Sequence, residues 1–191
     1  MADVDAPQTV RMTVRMQDTI DAGMMRQAIL ATQTRYPYYC VKLSVEADER
    51  GIEHYMLDDN QQPWVLKTAE EPVKLLGPEA NDHLVAFSCW DDCVAIDFFH
   101  MLTDGTGAYN VLRTLLYEYC RRCYDANLDS TGVRMLGDTI SEDEWMDPAL
   151  LPKRDLHPLP VPPPPKGFRL IDEAVCPLAE VKETVNILIS E

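Results

Sequence analysis

The chain is poor in basic residues and has no long apolar run. Lysine and arginine number 17 against 32 aspartates and glutamates, so the net charge at pH 7 is −15. Nucleic acids and anionic membranes are bound by basic surfaces that displace counterions, so this charge argues against both as partners. No stretch approaches the apolar length that crosses a bilayer, and "MADVDAPQTV" at the start is acidic where a secretory signal is basic. We therefore expect a cytoplasmic protein with no membrane span.

Disulfides are not expected either, because the cytoplasm keeps cysteines reduced. Two of the cysteine pairs, Cys89 with Cys93 and Cys120 with Cys123, imitate the spacing of a four-thiolate zinc site. The first pair flanks a predicted turn and the second lies late in a predicted helix, so the ligands would have to converge from unrelated elements. We expect free, buried or half-buried thiols and no metal site.

The length of 191 residues, with 46% hydrophobic and 26% charged residues, indicates one ordinary globular domain with a real core. Strict alternation over 9–17 predicts a half-buried strand, with the apolar side chains on one face and Arg11 and Arg15 on the other. Asp21 is a candidate N-cap for a helix over 22–36, which Pro37 stops. The apolar face of that helix would consist of Met25, Ala28, Ile29, Thr32 and Tyr36.

The middle of the chain predicts two antiparallel hairpins. "YYCVKLSVE" alternates and is joined by "ERG" to "IEHYMLD", a neighbouring or edge strand. Residues 59–80 are mostly loop. "HLVAFSC" and "CVAIDFFH", separated by a short turn, form the second hairpin, and a helix over 107–124 follows, for which Thr106 is a candidate cap. The predicted class is α+β, a mixed and largely antiparallel sheet with both helices packed on one face.

The last part of the chain is organised differently. "SEDEWMD" is typical of a capped acidic turn, and "HPLPVPPPPKG" of a stiff extended segment, a linker more often than a ligand for a proline-reading module. "FRLIDEAVC" favours a strand and 178–188 an amphipathic helix. We therefore predict a lobe over 1–147, a proline-rich crossover over 148–167, and the truncated start of a second lobe over 168–191.

The stretch "DFFHMLTDGTGAYNVL" carries the chemistry. His100, Asp104 and Gly105 form H-x-x-x-D-G where a predicted strand passes into a helix. A neutral imidazole can take a proton from an alcohol or amine, whose freed oxygen or nitrogen attacks an activated acyl carbon. Glycine permits a tight turn and a close approach to substrate, while Asp104 can hold the loop through a salt bridge or backbone amides. Alternatively, His100 is a satisfied core histidine and Asp104 an ordinary cap.

This segment resembles the active-site motif of the CoA-dependent acyltransferases related to chloramphenicol acetyltransferase. That superfamily includes bacterial alcohol acetyltransferase-like proteins, its branch nearest to this chain, plant alcohol acyltransferases and the condensation domains of non-ribosomal peptide synthetases. The order of predicted elements is similar too. The resemblance implies a single lobe, half of that fold, with His100 as general base, Asp104 as the structural acid that orients the loop, and Gly105 as the turn residue. Phe99 stands where many relatives have a second histidine.

The resemblance implies transfer of an acyl group from acyl-CoA, a co-substrate rather than a tightly bound cofactor, to a hydroxyl- or amine-bearing small molecule. Two-lobed relatives place the substrate tunnel between lobes, so activity would require the missing carboxy-terminal lobe or a homo-oligomer. The alternative is a non-catalytic binding or interaction module, or a truncated remnant, that keeps the half-fold. His54, His83 and His157 are expected at the surface or at strand ends, and Arg11 and Arg15 on a solvated strand face rather than paired with a carboxylate such as Asp104.

Overall fold

A computed structural model describes residues 9–124 and 128–146. The predicted crossover over 148–167, the second-lobe start over 168–191, and His157 therefore lie outside the described residues. Within them, the first strand β1 (Thr9–Arg15) leads to helix α1 (Ala22–Arg35), and a hairpin of β2 (Val41–Ala47) and β3 (Glu53–Asp59) follows. No helix in the described ranges is long and apolar enough to cross a membrane.

The chain then runs through a short strand β4 (Leu66–Lys67) into the second hairpin, β5 (Val85–Trp90) and β6 (Cys93–Phe99), and on into helix α2 (Gly105–Tyr124). Among the described strands, the main sheet has the order β1-β6-β5-β4, antiparallel except for the parallel β4–β5 pair. The predicted α+β class with a mixed, largely antiparallel sheet is confirmed.

Both helices cover the same face of this sheet, as predicted. Alternate residues of β1, β5 and β6 point towards the helices, since successive side chains of a strand leave on opposite faces. They form one apolar cluster with the inner faces of α1 and α2, whose fully buried members include Met25, Ile29, Phe87, Ile96 and Leu115. A second cluster, which includes Val73, Leu75, Ala86 and Phe99, covers part of the opposite face with the loop before β5.

Helix α1 begins and ends where its residues predict. Asp21 Oδ1 accepts a hydrogen bond from the Met24 amide at 2.9 Å, which satisfies one of the free N–H groups of the first turn. A short 3-10 turn follows from Pro37, so β2 begins at Val41 rather than at Tyr38 or Tyr39. The predicted acidic turn is also present as a 3-10 helix, Glu142–Glu144, with a capping box between Ser141 and Glu144.

The backbone carbonyl of Gln62, before β4, is bonded both to helix α1 and to the segment just before β5. Gln33 Nε2 and His83 Nε2 each donate to the Gln62 carbonyl oxygen at 2.8 Å. Gln33 Oε1 also accepts from the Trp64 amide at 2.9 Å. His83 is fully buried, two residues before β5. Of the two positions predicted for it, the surface is wrong and the strand end is right. Burial lowers the pKa of its imidazole, so the neutral ring is favoured in the folded state.

The β2–β3 hairpin forms a separate two-stranded sheet. Its seven cross-strand pairs run without a bulge from Val41 opposite Asp59 to Ala47 opposite Glu53. One face of the hairpin is apolar, with Leu43 opposite Leu57 and Val45 opposite Tyr55. Leu43 packs against the second core cluster, and beyond it these side chains are exposed.

Candidate functional site

Strand β6 delivers His100 to the surface. The strand lies between β1 and β5, all seven of its residues are buried, and His100 is the first exposed residue after it. The chain turns there, with the Leu102 amide donating to the Phe99 carbonyl at 2.9 Å. Neither ring nitrogen has a hydrogen-bond partner among residues 9–124 and 128–146. Within the described part of the chain, the ring is therefore exposed and is not a satisfied core histidine.

Asp104 begins helix α2. Its Oδ1 accepts from the Gly107 amide at 2.8 Å, and its carbonyl accepts from the Ala108 amide at 3.1 Å. The cap is therefore Asp104, and the prediction of Thr106 is wrong because the helix starts one residue earlier than Thr106, at Gly105. Asp104 fastens the loop through a backbone amide, one of the two modes expected, and makes no salt bridge with the described residues. Its role towards a substrate stays a prediction.

Gly105 was expected to be the turn residue, but the structure places it as the first residue of α2. Its φ lies outside the left-handed region, and a Cβ built on it meets open space. The backbone here therefore does not require glycine. Gly107 is the position where glycine is needed, because a Cβ there would overlap Thr103 Oγ1 and lie 2.5 Å from the Tyr39 hydroxyl oxygen.

A hydroxyl pair holds the loop between His100 and the helix. Tyr39 Oη and Thr103 Oγ1 are 2.7 Å apart, which joins the 3-10 turn before β2 to the residue preceding Asp104. Burial raises the pKa of Tyr39, so its hydroxyl stays protonated and can donate to Thr103. Sequence reasoning missed Tyr39, Thr103 and Gly107. The only available signal was the second glycine of "DGTG", Gly107, and the sequence does not show that Tyr39 lies close to it.

Three residues before His100, β6 carries a buried carboxylate. Asp97 is fully buried and accepts from Arg11 Nε at 2.7 Å and from Arg11 Nη2 at 2.8 Å. Its Oδ2 also accepts from the Val73 amide at 3.1 Å. The expectation of a solvated Arg11 is therefore wrong, because the register of β1 and β6 sets Arg11 directly opposite Asp97. Arg15 is exposed, as expected, although its Nε lies 3.8 Å from Asp92 Oδ2.

The arginine ties three segments together. Arg11 Nη2 donates to Ser88 Oγ on β5 at 2.8 Å, and Nη1 donates to the Glu70 carbonyl oxygen. Charge-assisted bonds of this kind are stronger than neutral ones. The pair thus fixes the loop before β5 against the end of the sheet from which His100 emerges.

The surface depression and the cysteine thiols do not form part of the surroundings of His100. A depression of about 370 Å³ is lined by residues of α1 and of the chain around Cys40 and Gln61, and neither His100 nor Asp104 lines it. Burial raises the pKa of the Cys89, Cys93 and Cys120 thiols, which favours the protonated form. Within the described ranges, no three histidine, cysteine or acidic side chains are grouped to hold a metal ion.

No protein-family model matches the chain, and neither does any curated protein. Condensation domains are structural neighbours of this chain. The starter condensation domain of rhizomide synthetase RzmA matches with a TM-score of 0.44 at 11% identity, covering 63% of this chain and 33% of that structure. The first condensation domain of the CDA synthetase matches with a TM-score of 0.45 at 12% identity, covering 64% and 36%.

Polyketide synthase associated protein 5 from Mycobacterium tuberculosis is also similar, with a TM-score of 0.46 at 16% identity over 60% of this chain and 29% of that one. A variant of the RzmA starter domain was solved in complex with C8-CoA and matches with a TM-score of 0.46 at 12% identity over 62% and 31%. The chain thus spans about a third of the length of these structures. The resemblance noted from the sequence also named condensation domains.

Proposed function

We propose that the chain transfers an acyl group from a CoA thioester to the hydroxyl or amine of a small molecule, with His100 as the general base. The observation that carries this proposal is the exposed imidazole at the end of a fully buried central strand, followed within one turn by the carboxylate that begins the next helix. A base on a rigid strand end keeps its position while a substrate binds, which general acid–base catalysis requires.

In the proposed reaction, the imidazole takes the proton from the acceptor hydroxyl or amine. The freed oxygen or nitrogen attacks the thioester carbonyl carbon and forms a tetrahedral oxyanion, which a hydrogen-bond donor must stabilise. The carbon–sulfur bond then breaks, the new ester or amide forms, and the proton on the imidazole passes to the departing thiolate. Free CoA leaves, and His100 is neutral again.

A second surface would have to face His100 in the active form. The depression of about 370 Å³ is on another part of the molecule, and the imidazole stands on open surface of the described chain. Acyl transfer must exclude water, because water competes with the acceptor for the thioester. We propose that a further lobe or another copy of the chain supplies this cover.

The test is the loss of thioester from acetyl-CoA and octanoyl-CoA, with and without simple alcohols and amines, on the full chain. Thioester absorbance is the suitable readout, because thiol reagents would also react with half-buried Cys120 and Cys123. His100→Ala is expected to lower the rate by about 10²–10⁴-fold, the usual contribution of a general base. Met101→Ala, which removes the neighbouring exposed side chain, is the control. Full turnover by His100→Ala would show that the base is wrongly assigned.

The second candidate is a non-catalytic binding module, which the open surface around His100 favours. It predicts calorimetric binding of CoA esters with no loss of thioester under any of these conditions. Binding that survives His100→Ala, without turnover by either protein, would support the module and exclude catalysis by this chain on its own.

A further inference from the structure

The outer edge of the β2–β3 hairpin is open to pairing at its centre, since the three acidic residues of β3 (Glu53, Asp58 and Asp59) lie towards its two ends. β3 (Glu53–Asp59) is exposed along its whole length, and within the described residues it pairs only with β2. Edge strands are commonly blocked by proline, lysine or a bulge. β3 contains neither proline nor lysine, and its register with β2 is regular over all seven residues. Its apolar residues Tyr55, Met56 and Leu57 are 46%, 48% and 49% exposed.

The hydrogen-bond pattern shows which backbone groups of β3 point outward. The Asp48 amide bonds to the Ile52 carbonyl at 2.9 Å at one end of the hairpin, and the Asn60 amide bonds to the Cys40 carbonyl at 2.8 Å at the other. Because antiparallel pairs alternate between hydrogen-bonded and non-hydrogen-bonded types, the even-numbered residues of β3 bond to β2. The N–H and C=O groups of the odd-numbered residues, Tyr55 and Leu57 among them, therefore face away from β2.

We propose that this edge pairs with the same edge of a second copy of the chain, antiparallel about a two-fold axis at Met56. In this register Tyr55 of one copy forms a hydrogen-bonded pair with Leu57 of the other, which uses the outward N–H and C=O groups. Met56 lies opposite Met56, and His54 lies opposite Asp58, both as non-hydrogen-bonded pairs whose side chains are close.

The sequence of β3 selects this register. Because the outward N–H and C=O groups belong to odd-numbered residues, odd residues must face odd residues and the axis must lie at a residue. The neighbouring alternatives place it at Tyr55 or at Leu57. Centring on Leu57 sets Tyr55 opposite Asp59, and centring on Tyr55 sets Glu53 opposite Leu57. Only the Met56 register pairs all three of Tyr55, Met56 and Leu57 with apolar residues and also sets His54 against an acid. Its unfavourable contacts, in which Glu53 of each copy faces Asp59 of the other, lie at the two exposed ends, where water screens them.

Pairing also completes an apolar surface. Leu43, Val45, Tyr55 and Leu57 share one face of the hairpin, and a two-stranded sheet alone is marginally stable in water. The two-fold axis joins two such hairpins into a four-stranded sheet with one continuous apolar face. This inference does not depend on the proposed function.

Sedimentation velocity and light scattering on the full chain, in reducing buffer, test the proposal. A reversible dimer is expected. Leu57→Pro removes an outward N–H, not one bonded to β2, and Leu57→Lys places a charge at the new pair; each should weaken association at least about tenfold. Leu30→Lys is the matched control, since Leu30 is 43% exposed on α1, and it should leave the dimer intact. Higher salt should strengthen association, because each chain carries a net charge of −15.

Met56→Cys supplies a readout that does not depend on affinity. Non-hydrogen-bonded antiparallel pairs bring the two Cβ atoms close enough for a disulfide, so mild oxidation should link two chains through position 56, identified by peptide mapping. The unsubstituted chain under the same oxidation controls for its own cysteines. A chain that stays monomeric at high concentration, or a dimer unaffected by both Leu57 variants, would overturn the proposal.

Discussion

Replacing Asp97 by asparagine should destabilise the fold more than any surface substitution in the same strand pair. The carboxylate is fully buried and accepts three hydrogen bonds, two from Arg11 and one from the Val73 amide. An asparagine side chain at this position could not accept all three, because its amide nitrogen is a donor, and the charge of Arg11 would lose its partner. Breaking a buried pair in this way costs about 3–5 kcal/mol. The Arg11 side chain is 22% exposed, so water offsets part of the loss and we expect about 3 kcal/mol.

Urea unfolding followed by circular dichroism in reducing buffer measures this loss. With a slope of about 2 kcal/mol per molar urea, the midpoint should fall by about 1.5 M. Asp92→Asn is the matched control, because Asp92, in the turn just before β6, lies 3.8 Å from Arg15 at the end of β1, and both side chains are accessible to water. That variant should change stability by less than about 1 kcal/mol. Equal effects of the two substitutions would refute the reasoning that burial gives the Arg11–Asp97 pair its weight.

Three further predictions concern the site loop and the buried histidine. Alanine normally stabilises a helix by about 1 kcal/mol relative to glycine. Gly107→Ala should nevertheless lower the melting temperature, because the new Cβ would overlap the Thr103 side chain. Combining it with Thr103→Ala should recover part of the loss. Asp104→Ala should cost about 1 kcal/mol in urea unfolding through loss of the α2 cap, whereas Asp104→Asn should cost only a few tenths, since asparagine caps as well; equal costs would contradict the capping role. Burial lowers the pKa of His83 from its usual value, so on acidification below about pH 6.5 only the unfolded state takes up this proton, and the free energy of unfolding falls by at most about 1.4 kcal/mol per pH unit. His83→Gln should flatten that slope, and an unchanged slope would show that another group controls it.

The elements that bury an apolar face were predictable from the sequence. The alternation in β1 and the helical spacing of Met25, Ala28 and Ile29 both reflect contact with one core, and that contact determines where these residues lie. Helix α2 was predicted for the same reason, although its start was placed at the wrong residue. Asp104 and Thr106 are both good capping residues two positions apart, so local propensity could not distinguish between them.

What the sequence could not show depends on register. Arg11 and Asp97 are 86 residues apart, and each looks like a polar residue of a half-buried strand until the β1–β6 pairing sets them opposite each other. The hairpin over Val41–Asp59 was predicted, but not its separation from the main sheet. The requirement for glycine at position 107 likewise comes from Tyr39 and Thr103, which approach it only in the folded chain. In each case the missing information is which segments become neighbours in space.

The Gln62 carbonyl oxygen accepts two hydrogen bonds, and its two kinds of partner constrain the sequence differently. The acceptor of the hydrogen bonds from Gln33 and His83 is a main-chain oxygen, so any residue able to adopt this backbone conformation would provide it. The two donors are side chains, and each must keep its length and polarity. This contact should therefore tolerate a substitution at position 62 better than one at position 33 or 83, even though all three residues take part in it.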